Sequence, residues 1–496
     1  MSTTKPCPEQ CNVLLIGGGG REHALAWKLS QSPKLGTLYA TDCTNGGIAS
    51  LAQPCEEHWD SSRVFFMNRW CNQHDIHFIV VGPEVPLAEG IVDELTTDTR
   101  VVFGPSKDAA RIEADKSYAK DLMRQASIPT ADSRSFTDID AARSYLLRGL
   151  DKELQNDFKQ ELSNEVSSFI DWCSEREKRT QFQFSDELQA VLDNREDTCV
   201  VKACGLAAGK GVIICNTVGE SLRAVELIMR DKAFGDAGGT VLIEEFMSGN
   251  EVSVLALVDG STIWVLDLCQ DHKQVGEGDV GPNTGGMGAF CPAPLLDDDM
   301  LEFVEREILV PAVDAMRRDG IEYRGVLYAG LMLTPAGPKV LEFNCRFGDP
   351  ETQPLMARFK GDFLDVLWRT SVGTLDEASI AFEDDVACCV VMCSEGYPGS
   401  YAKGQQITGI QEAENLGNVI VFHAGTNGTE GELTTSGGRV LGVTAIAKSL
   451  EEARTVANTA CEQIHFQGAF WRSDIGCRKN VNNCSQSTTC DFVSDV

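Results

Sequence analysis

The chain has 496 residues, a length that predicts about three domains, and its 43% hydrophobic and 24% charged residues are ordinary for a globular protein. Lys and Arg number 43 against 74 Asp and Glu, so the formal net charge of −31 excludes a general nucleic-acid binder and disfavours anionic membrane surfaces. Any phosphate that this protein handles must therefore meet a local cluster of basic side chains.

The 19 cysteines fall in strand-like runs, which is typical of buried thiols in a reducing cytosol. Residues 1–10 lack the apolar core of a secretory signal, and the longest apolar runs are shorter than the ~20 residues that cross a bilayer. We therefore expect a cytoplasmic protein with no membrane partner and no nucleic-acid partner.

Apolar runs alternate with amphipathic stretches over residues 1–114. They predict strands at 12–16, 37–40 and 77–82 and helices at 21–31 and 61–72. This βαβ rhythm is typical of a doubly wound parallel α/β sheet, with glycine or proline turns at 17–20, 82–83 and 104–105. Open sheets of this kind bind ligands at that edge, so we expect a small molecule there.

The pattern changes at residue 115 and predicts an α+β domain over 115–372 and a smaller α+β domain over 373–479. The predicted strands are 198–203, 211–215, 240–245, 251–258, 262–268, 326–333, 339–344, 386–393, 419–423 and 438–447. Apolar residues mostly four apart between Leu150 and Cys173 predict one long amphipathic helix, packed on its own domain. A last helix is predicted at 450–464, and the polar residues 480–496 predict a disordered tail.

Four consecutive glycines, Gly17 to Gly20, follow the first predicted strand and open a helix. Bare N–H groups at a helix N-terminus can hold an anion, and Arg21 adds charge. The dinucleotide fingerprint is incomplete, because Glu22 or His23 stands at its third glycine. A sugar phosphate therefore fits better than NAD. A tight turn without a ligand is the alternative, and four glycines exceed what that turn requires.

A second glycine-rich segment reads KACGLAAGKG from Lys202 onward. It is not a Walker loop, because only three residues separate Gly205 from Gly209 and Gly211 stands where Ser or Thr should be. A hairpin whose small-residue tip folds over a triphosphate, between Lys202 and Lys210, accounts for the pattern. A flexible hairpin without a ligand is the alternative.

Glu342 and Asn344 lie on a predicted strand, where the period of two aims both at the same side. Two hard oxygen ligands suit Mg²⁺ bridging nucleotide phosphates, although an exposed strand face often shows the same pattern. Arg346 follows two residues later, and a cation there can neutralise charge on a phosphoryl group in transfer.

A glycine-dense loop, residues 281–288, follows the segment that runs from Gln270 to Lys273. Loops of this kind wrap small polar substrates. Within that segment His272 is a candidate general base, and a structural histidine explains it equally well.

Taken in this order, these segments resemble the glycinamide ribonucleotide synthetase family of the ATP-grasp superfamily. The resemblance runs from residue 12 to near residue 479, and its most specific parts are residues 18–25, 205–212, 270–273, 281–288 and 342–353. It implies an N-terminal preATP-grasp domain at 1–114, a central ATP-grasp domain at 115–372 that clamps ATP between two halves, and a C-terminal domain at 373–479.

The activity that the resemblance implies is ligation of glycine to 5-phosphoribosylamine through glycyl phosphate, with ATP and Mg²⁺ or Mn²⁺, in de novo purine biosynthesis. It implies small-molecule partners only, and a monomer or homodimer. Carried over by motif position, the ATP-binding residues are Lys116, Lys202, Gly205, Leu206, Gly209, Gly211, the adenine hinge Glu244, Glu245, Phe246 and Met247, and Glu251. The metal ligands are Glu342 and Asn344, the catalytic residues Arg346 and Lys210, and the substrate-binding residues Gly20, Glu84, Asp271, Lys273, Asn283, Thr284 and Asp349.

Two departures from the family pattern stand out. Cys204 occupies the aspartate position of the usual Lys-Ala-Asp-Gly, so a carboxylate near the phosphates is missing and turnover is expected to be reduced. Residues 150–197 resemble an insertion, which we expect to form a helical lobe outside the active site.

Two other functions stay open at this point. A different ATP-grasp carboxylate–amine ligase would share the clamp, and only residues 281–288 and 346–353 discriminate against it. A nucleotide-binding regulatory protein with reduced turnover is suggested by Cys204, and the intact Glu342, Asn344 and Arg346 argue against it.

Overall fold

The computed structural model describes residues 5–157, 159–174, 182–207, 211–429 and 431–477. The predicted tail, 480–496, lies outside these ranges, as do Gly209 and Lys210. Across the described ranges, no helix combines the length and the apolar character needed to cross a membrane.

A five-stranded parallel sheet of order β3-β2-β1-β4-β5 forms the N-terminal domain, which confirms the predicted doubly wound fold. Leu14 and Ile16 of its first strand enter one core, and Val13 and Leu15 enter another. A strand buried on both faces is apolar throughout, which explains the unbroken apolar run. The elements are β1 (Cys11–Ile16), α1 (Gly20–Leu29), β2 (Leu35–Ala40), α2 (Gly46–Ala49), β3 (Gln53–Pro54), α3 (Val64–Gln73), β4 (Phe78–Val81), α4 (Glu84–Glu89), α5 (Ile91–Leu95), β5 (Val101–Phe103) and α6 (Lys107–Ala114).

Two four-stranded antiparallel sheets form the central domain, in the orders β6-β9-β7-β8 and β11-β10-β16-β17. We call them the small sheet and the large sheet. The helices are α7 (Lys116–Gln125), α8 (Ile139–Leu146), α9 (Leu150–Asn156), α10 (Gln160–Ser174), α11 (Asp186–Asn194), α12 (Val218–Met229), α13 (Asp298–Val304) and α14 (Val310–Arg318). The strands are β6 (Ser133–Phe136), β7 (Glu196–Ala203), β8 (Val212–Thr217), β9 (Val241–Glu245), β10 (Asn250–Asp259), β11 (Ile263–Val265), β12 (Gln270–Asp271), β13 (Gln274–Gly276), β14 (Val280–Asn283), β15 (Gly288–Cys291), β16 (Arg324–Thr334) and β17 (Gly337–Asn344).

The C-terminal sheet takes two of its strands from the central segment, because β12 and β15 extend the order β12-β15-β20-β24-β21. Helix α16 packs under the N-terminal sheet, where Trp368 shares a core with Phe78. The chain therefore crosses between domains more often than three consecutive blocks imply. The elements are α15 (Thr352–Arg358), β18 (Phe359–Lys360), α16 (Phe363–Val372), β19 (Ala381–Phe382), β20 (Val386–Ser394), α17 (Ile410–Glu414), β21 (Val419–His423), β22 (Thr426–Asn427), β23 (Thr434–Thr435), β24 (Arg439–Ala447), α18 (Leu450–Gln463) and β25 (Ala469–Phe470).

The long helix predicted between Leu150 and Cys173 is wrong, because the chain forms two helices, α9 and α10, that pack on each other. The hydroxyl of Ser163 donates to the Asp151 carbonyl at 2.7 Å and ties them together. Leu154 and Phe169 enter one apolar cluster with residues of α11 and α12. A straight helix of that length would spread its apolar stripe over ~36 Å, too far for one small core.

Replacing Phe169 by Ala should destabilise this helical lobe by about 3–5 kcal/mol, the usual cost of emptying a large aromatic site in a core. Its ring is fully buried and contacts Phe182 and Phe184. Thermal unfolding would measure the loss, and Phe65→Ala is the control because that ring is 69% exposed. Equal unfolding temperatures for the two variants would contradict the burial argument.

Candidate active site

Glu342 and Asn344 leave β17 on the same side, as the strand period predicts. Phe343 between them points the other way into the core and is 2% exposed. The Arg346 guanidinium donates to Asn344 Oδ1 at 3.2 Å, which brings all three polar side chains to one edge of the large sheet. Lys202 of the small sheet donates to the Leu341 carbonyl at 3.4 Å. The two sheets of the central domain therefore meet at this edge.

Positive charge surrounds the Glu342 carboxylate. Burial acts to raise the pKa of Glu342, but four cations outweigh it and bring the pKa below its usual value: Lys273, Lys202, Lys116 and Arg346. In a chain with a net charge of −31, this cluster is the local basic site that a phosphate ligand requires.

Arg346 is held by acidic side chains of the N-terminal domain. Its guanidinium lies 3.0 Å from Glu113 Oε1 and 3.5 Å from Glu84 Oε2. Burial acts to lower the pKa of Arg346, and the charges of Glu113 and Glu84 reverse this and raise it. Burial raises the pKa of Glu113, although Arg346 acts in the opposite direction. The guanidinium is therefore fixed in place and permanently charged.

Helix α7 begins beside the hairpin tip because Asp115 caps it, accepting from the N–H groups of Ser117 and Tyr118. This places Lys116 in the first turn, where its Nζ donates to the Gly205 carbonyl at 3.2 Å. A Cβ on Gly205 would lie 2.8 Å from Ala237 Cα, so only glycine fits there. Similarly, a Cβ on Gly211 would lie 2.7 Å from Ala207 Cβ. Leu206 follows Gly205 in the part-exposed tip.

Cys204 is buried, and its Sγ lies 3.1 Å from Ser117 Oγ at the start of α7. A carboxylate at position 204 could accept a hydrogen bond from the Ser117 hydroxyl and would face the Lys116 ammonium. We therefore expect Cys204→Asp to raise kcat by about threefold, by ordering the tip over the phosphates. Steady-state ADP release measures this, with Cys204→Asn as the uncharged control. An unchanged kcat would show that the position tolerates either residue.

The predicted adenine hinge at the end of β9 is only partly directed at the cleft. Glu244 is buried and its carboxylate pairs with Lys202 at 2.7 Å, so its side chain faces lysines. Glu245 faces outward and pairs with Lys339 at 3.1 Å, and Phe246 is 44% exposed. Met247 packs in an apolar patch with Ala131, Met332 and Leu341. Met247 is thus packed in an apolar environment, while the carboxylates of Glu244 and Glu245 are both engaged in ion pairs.

Acidic and basic side chains continue from Glu342 toward the loop at 281–288. Glu251, predicted to bind the ribose, pairs with Lys273 at 3.0 Å, and burial together with the charge of Glu351 raises the pKa of Asp271 well above its usual range. Thr284 Oγ1 donates to the Lys273 carbonyl at 2.7 Å, while Asn283 is exposed on β14.

Asp349 lies where all three domains meet. Its carboxylate accepts from Gln353 at 2.8 Å and pairs with Arg439 of the C-terminal domain at 3.0 Å. A Cβ on Gly20 would lie 2.8 Å from Gln353 Nε2 and 3.6 Å from Asp349 Oδ1. Gly20, Asp349 and Arg439 therefore lie close together.

The glycine turn is less open to an anion than the sequence predicts. Thr41 Oγ1 accepts from the Gly17 N–H at 3.1 Å, and Glu22 accepts from the Gly19 N–H at 2.6 Å. Arg21 is turned to Glu22 and the Phe347 carbonyl. Side chains of the protein thus already satisfy two of the four N–H groups.

His272 is structural. It is fully buried, its Nε2 accepts from the Gly476 N–H at 3.0 Å, and its Nδ1 lies 3.4 Å from Asp279. Both ring nitrogens are thus engaged away from Glu342, which removes the reason to assign it as a general base.

Sequence reasoning missed three residues of this region. Lys120 follows Lys116 by four residues, a helix spacing that could have drawn attention to it. Arg439 follows two glycines, a turn pattern that also occurs elsewhere in the chain. No local sequence pattern marks Glu113 at the end of α6, because its ion pair is with Arg346, which is distant in sequence.

The donor set at β17 fits Mg²⁺ or Mn²⁺ held partly by phosphates. Within the described ranges, no three His, Cys, Asp or Glu side chains converge on one metal position. A carboxylate and an amide oxygen suffice, since Mg²⁺ in nucleotide sites takes one or two protein oxygens and completes its shell with phosphates and water. Glu342 and Asn344 are the residues that would supply that pair.

A basic cluster where two antiparallel sheets meet, with a parallel domain before it, is the arrangement of an ATP-grasp ligase. Three family models match the chain: the N domain of phosphoribosylglycinamide synthetase at residues 11–113, its ATP-grasp (A) domain at 174–352 and its C domain at 387–478. The chain belongs to the phosphoribosylglycinamide synthetase family.

The sequences of individual relatives match nearly the whole chain. A phosphoribosylamine–glycine ligase of Rhodopirellula baltica is 45% identical over 465 residues, covering 94% of this chain and 97% of that protein. One from Nostoc is 43% identical over 473 residues, covering 94% and 99%. The crystal structure of a phosphoribosylamine–glycine ligase from Thermotoga maritima is 28% identical, with a TM-score of 0.71 over 94% of this chain and 100% of that chain.

Proposed function

We propose that the protein ligates glycine to 5-phosphoribosylamine with ATP, giving glycinamide ribonucleotide, ADP and phosphate. The observation that carries this proposal is the convergence of Glu342, Asn344 and Arg346 on an edge where Lys116 and Lys202 add positive charge. Oxygen ligands and fixed cations together are what phosphoryl transfer requires.

The reaction proceeds in two steps, phosphorylation of glycine and then formation of the amide. The glycine carboxylate attacks the γ-phosphorus of ATP, the bond to the β,γ-bridging oxygen breaks, and glycyl phosphate and ADP form. The amine of 5-phosphoribosylamine then attacks the acyl carbon, inorganic phosphate leaves with the bonding electron pair, and the amine loses a proton as the amide forms. Phosphorylation is needed because a carboxylate has no good leaving group.

This chain's cations perform the electrostatic part of the first step. Lys116 and Lys202 bind the nucleotide phosphates, and residues 205–211 with Lys210 cover them. The divalent ion, when bound to Glu342 and Asn344, would supply Lewis-acid charge neutralisation. Arg346 stabilises the phosphoryl oxygens, and its pairing with Glu84 and Glu113 keeps it oriented for this role.

The two remaining substrates are assigned to the region between Asp349 and the 281–288 loop, which Arg439 joins. Gly20, Glu84, Asn283, Thr284 and Asp349 border 5-phosphoribosylamine and glycine. Asp271 and Lys273 belong to the same proposed site, where Lys273 pairs with Glu251. A buried carboxyl with a raised pKa, such as Asp271, is suited to an ammonium ligand, which would restore its charge.

The test is ADP release with glycine and 5-phosphoribosylamine supplied together and separately. Release should require both, and hydroxylamine in place of the amine should trap glycyl hydroxamate. Release that is independent of glycine but dependent on another amino acid would identify a different ATP-grasp ligase. Binding of ATP without any release would identify a regulatory protein.

The proposal places the enzyme in the cytoplasm, where thiols stay reduced. Cysteines such as Cys11, Cys204 and Cys388 are buried free thiols, which supports this. Each chain contains a complete set of the residues named above, so the proposal holds for a monomer and for a homodimer alike.

A further inference from the structure

Lys120 is a buried lysine to which the reaction above gives no role. It is 4% exposed and lies four residues after Lys116, so both point from the same face of α7. Its Nζ lies 3.0 Å from Glu244 Oε1 and donates to Thr130 Oγ1 at 2.7 Å. The other Glu244 oxygen lies 2.7 Å from Lys202 Nζ.

Two ammonium groups thus share one carboxylate in a site that excludes water. Glu244 is 3% exposed and Lys202 is 6% exposed, so the charges are poorly screened. If Glu244 faced Lys202 alone, the pair would be neutral and Lys202 would offer phosphates little net attraction. With Lys120 present, the group of three carries one net positive charge.

We propose that Lys120 is a positioning residue for nucleotide binding: it holds and neutralises Glu244, which leaves the charge of Lys202 available to the phosphates of ATP. The inference rests on the proposed function, because it takes Lys202 as a phosphate ligand. Thr130 fixes Lys120 in turn, since its hydroxyl donates to the Val340 carbonyl of β17 at 2.6 Å. The network therefore joins the small sheet to the large sheet beside Glu342.

A merely structural lysine would show the same contacts, so the test must separate charge from packing. Lys120→Gln keeps a polar group within reach of Glu244 and Thr130 but removes the charge, whereas Lys120→Arg keeps the charge. Calorimetric titration with Mg·ATP should show Kd raised by about tenfold or more in Lys120→Gln, and within about threefold of the unmodified protein in Lys120→Arg. The KM for glycine should stay unchanged in both.

Lys339→Met is the matched control, because Lys339 pairs with Glu245, the next carboxylate on β9, outside the cleft. It should leave the Kd for Mg·ATP unchanged. An unchanged Kd in Lys120→Gln, or an equal rise in Lys120→Gln and Lys339→Met, would overturn the inference.

Glu244→Gln tests the proposal by removing the charge that Lys120 neutralises. It also keeps the proposal testable if Lys120→Gln does not fold. Without the carboxylate, Lys202 needs no compensation, so Glu244→Gln should bind Mg·ATP at least as tightly as the unmodified protein. Adding Lys120→Gln to Glu244→Gln should then change Kd less than about threefold, since the two substitutions act through one interaction. Weaker binding by Glu244→Gln, or a full tenfold cost in the double variant, would contradict the proposal. Failure of the unmodified protein to bind ATP would instead refute the proposed function.

Discussion

Arg346→Met should reduce kcat by about 1000-fold or more, the usual effect of removing an arginine that stabilises a phosphoryl group in transfer. The KM for ATP should change far less, because Lys116 and Lys202, the proposed phosphate ligands, remain. The structure supports this separation: Arg346 donates a hydrogen bond to Asn344 at the edge of the large sheet, while Lys116 reaches the hairpin tip. Single-turnover ADP formation isolates the chemical step and is the measurement to use.

The same substitution should also lower stability, by about 3–5 kcal/mol, because it leaves Glu113 and Glu84 without their cation in a buried site. Burial already raises the pKa of Glu113, so its folded form binds a proton more readily than its unfolded form. The stability deficit should therefore shrink as the pH falls below that raised pKa and grow as the pH rises through it. Thermal unfolding across a pH series would record this trend.

Arg346→Lys separates the two effects. It keeps a positive charge beside Glu113, so most of the stability should return, whereas the planar fork that spans Glu113, Asn344 and the phosphoryl oxygens is lost and kcat should stay low. Arg306→Met is the control for general charge loss, since that side chain is 63% exposed. A normal kcat in Arg346→Met would remove Arg346 from the mechanism, and normal stability in Arg346→Met would contradict the burial argument.

The sequence predicts those parts of the site whose residues all lie on one strand, helix or hairpin. Glu342 and Asn344 share a face because β17 is a strand, and Arg346 follows within two residues. The β7–β8 hairpin was likewise predicted from glycines and flanking strands. In each case a local period or turn determines the geometry, so no knowledge of distant packing is needed.

The parts that the sequence could not predict depend on contacts between distant segments. Glu113 acts through Arg346, and Arg439 reaches Asp349 across 90 positions of the chain. Glu244 matched a hinge motif, but its carboxylate turned out to face Lys202 and Lys120 because the two sheets meet there. Side-chain partners of this kind follow from the tertiary arrangement, which spacing along the chain does not encode.

The fold also has parts that local sequence patterns predict and parts that depend on contacts between distant segments. The N-terminal parallel sheet was predictable because its strands are buried on both faces and read as apolar runs. The break between α9 and α10 was not, because the apolar spacing continues across it, and only the small size of the core that both helices share requires the chain to turn. The pairing of β15 with β20 similarly joins segments about a hundred residues apart in sequence.

Glu342→Gln should reduce kcat by about 100-fold or more and should also change how Mg²⁺ affects nucleotide binding. The carboxylate is surrounded by the positive charges of Lys273, Lys202 and Lys116, which hold its pKa low. Removing its charge exposes those cations, so free ATP without Mg²⁺ should bind the variant more tightly than the unmodified protein. Adding Mg²⁺ should strengthen binding less in the variant, because the proposed metal ligand at position 342 has lost its charge. Calorimetric titration with and without Mg²⁺ measures both effects.

The control is Glu383→Gln, because the Glu383 carboxylate pairs with Lys360 on the surface and is 54% exposed. The same Mg²⁺ dependence in Glu342→Gln as in Glu383→Gln would show that the metal is held elsewhere.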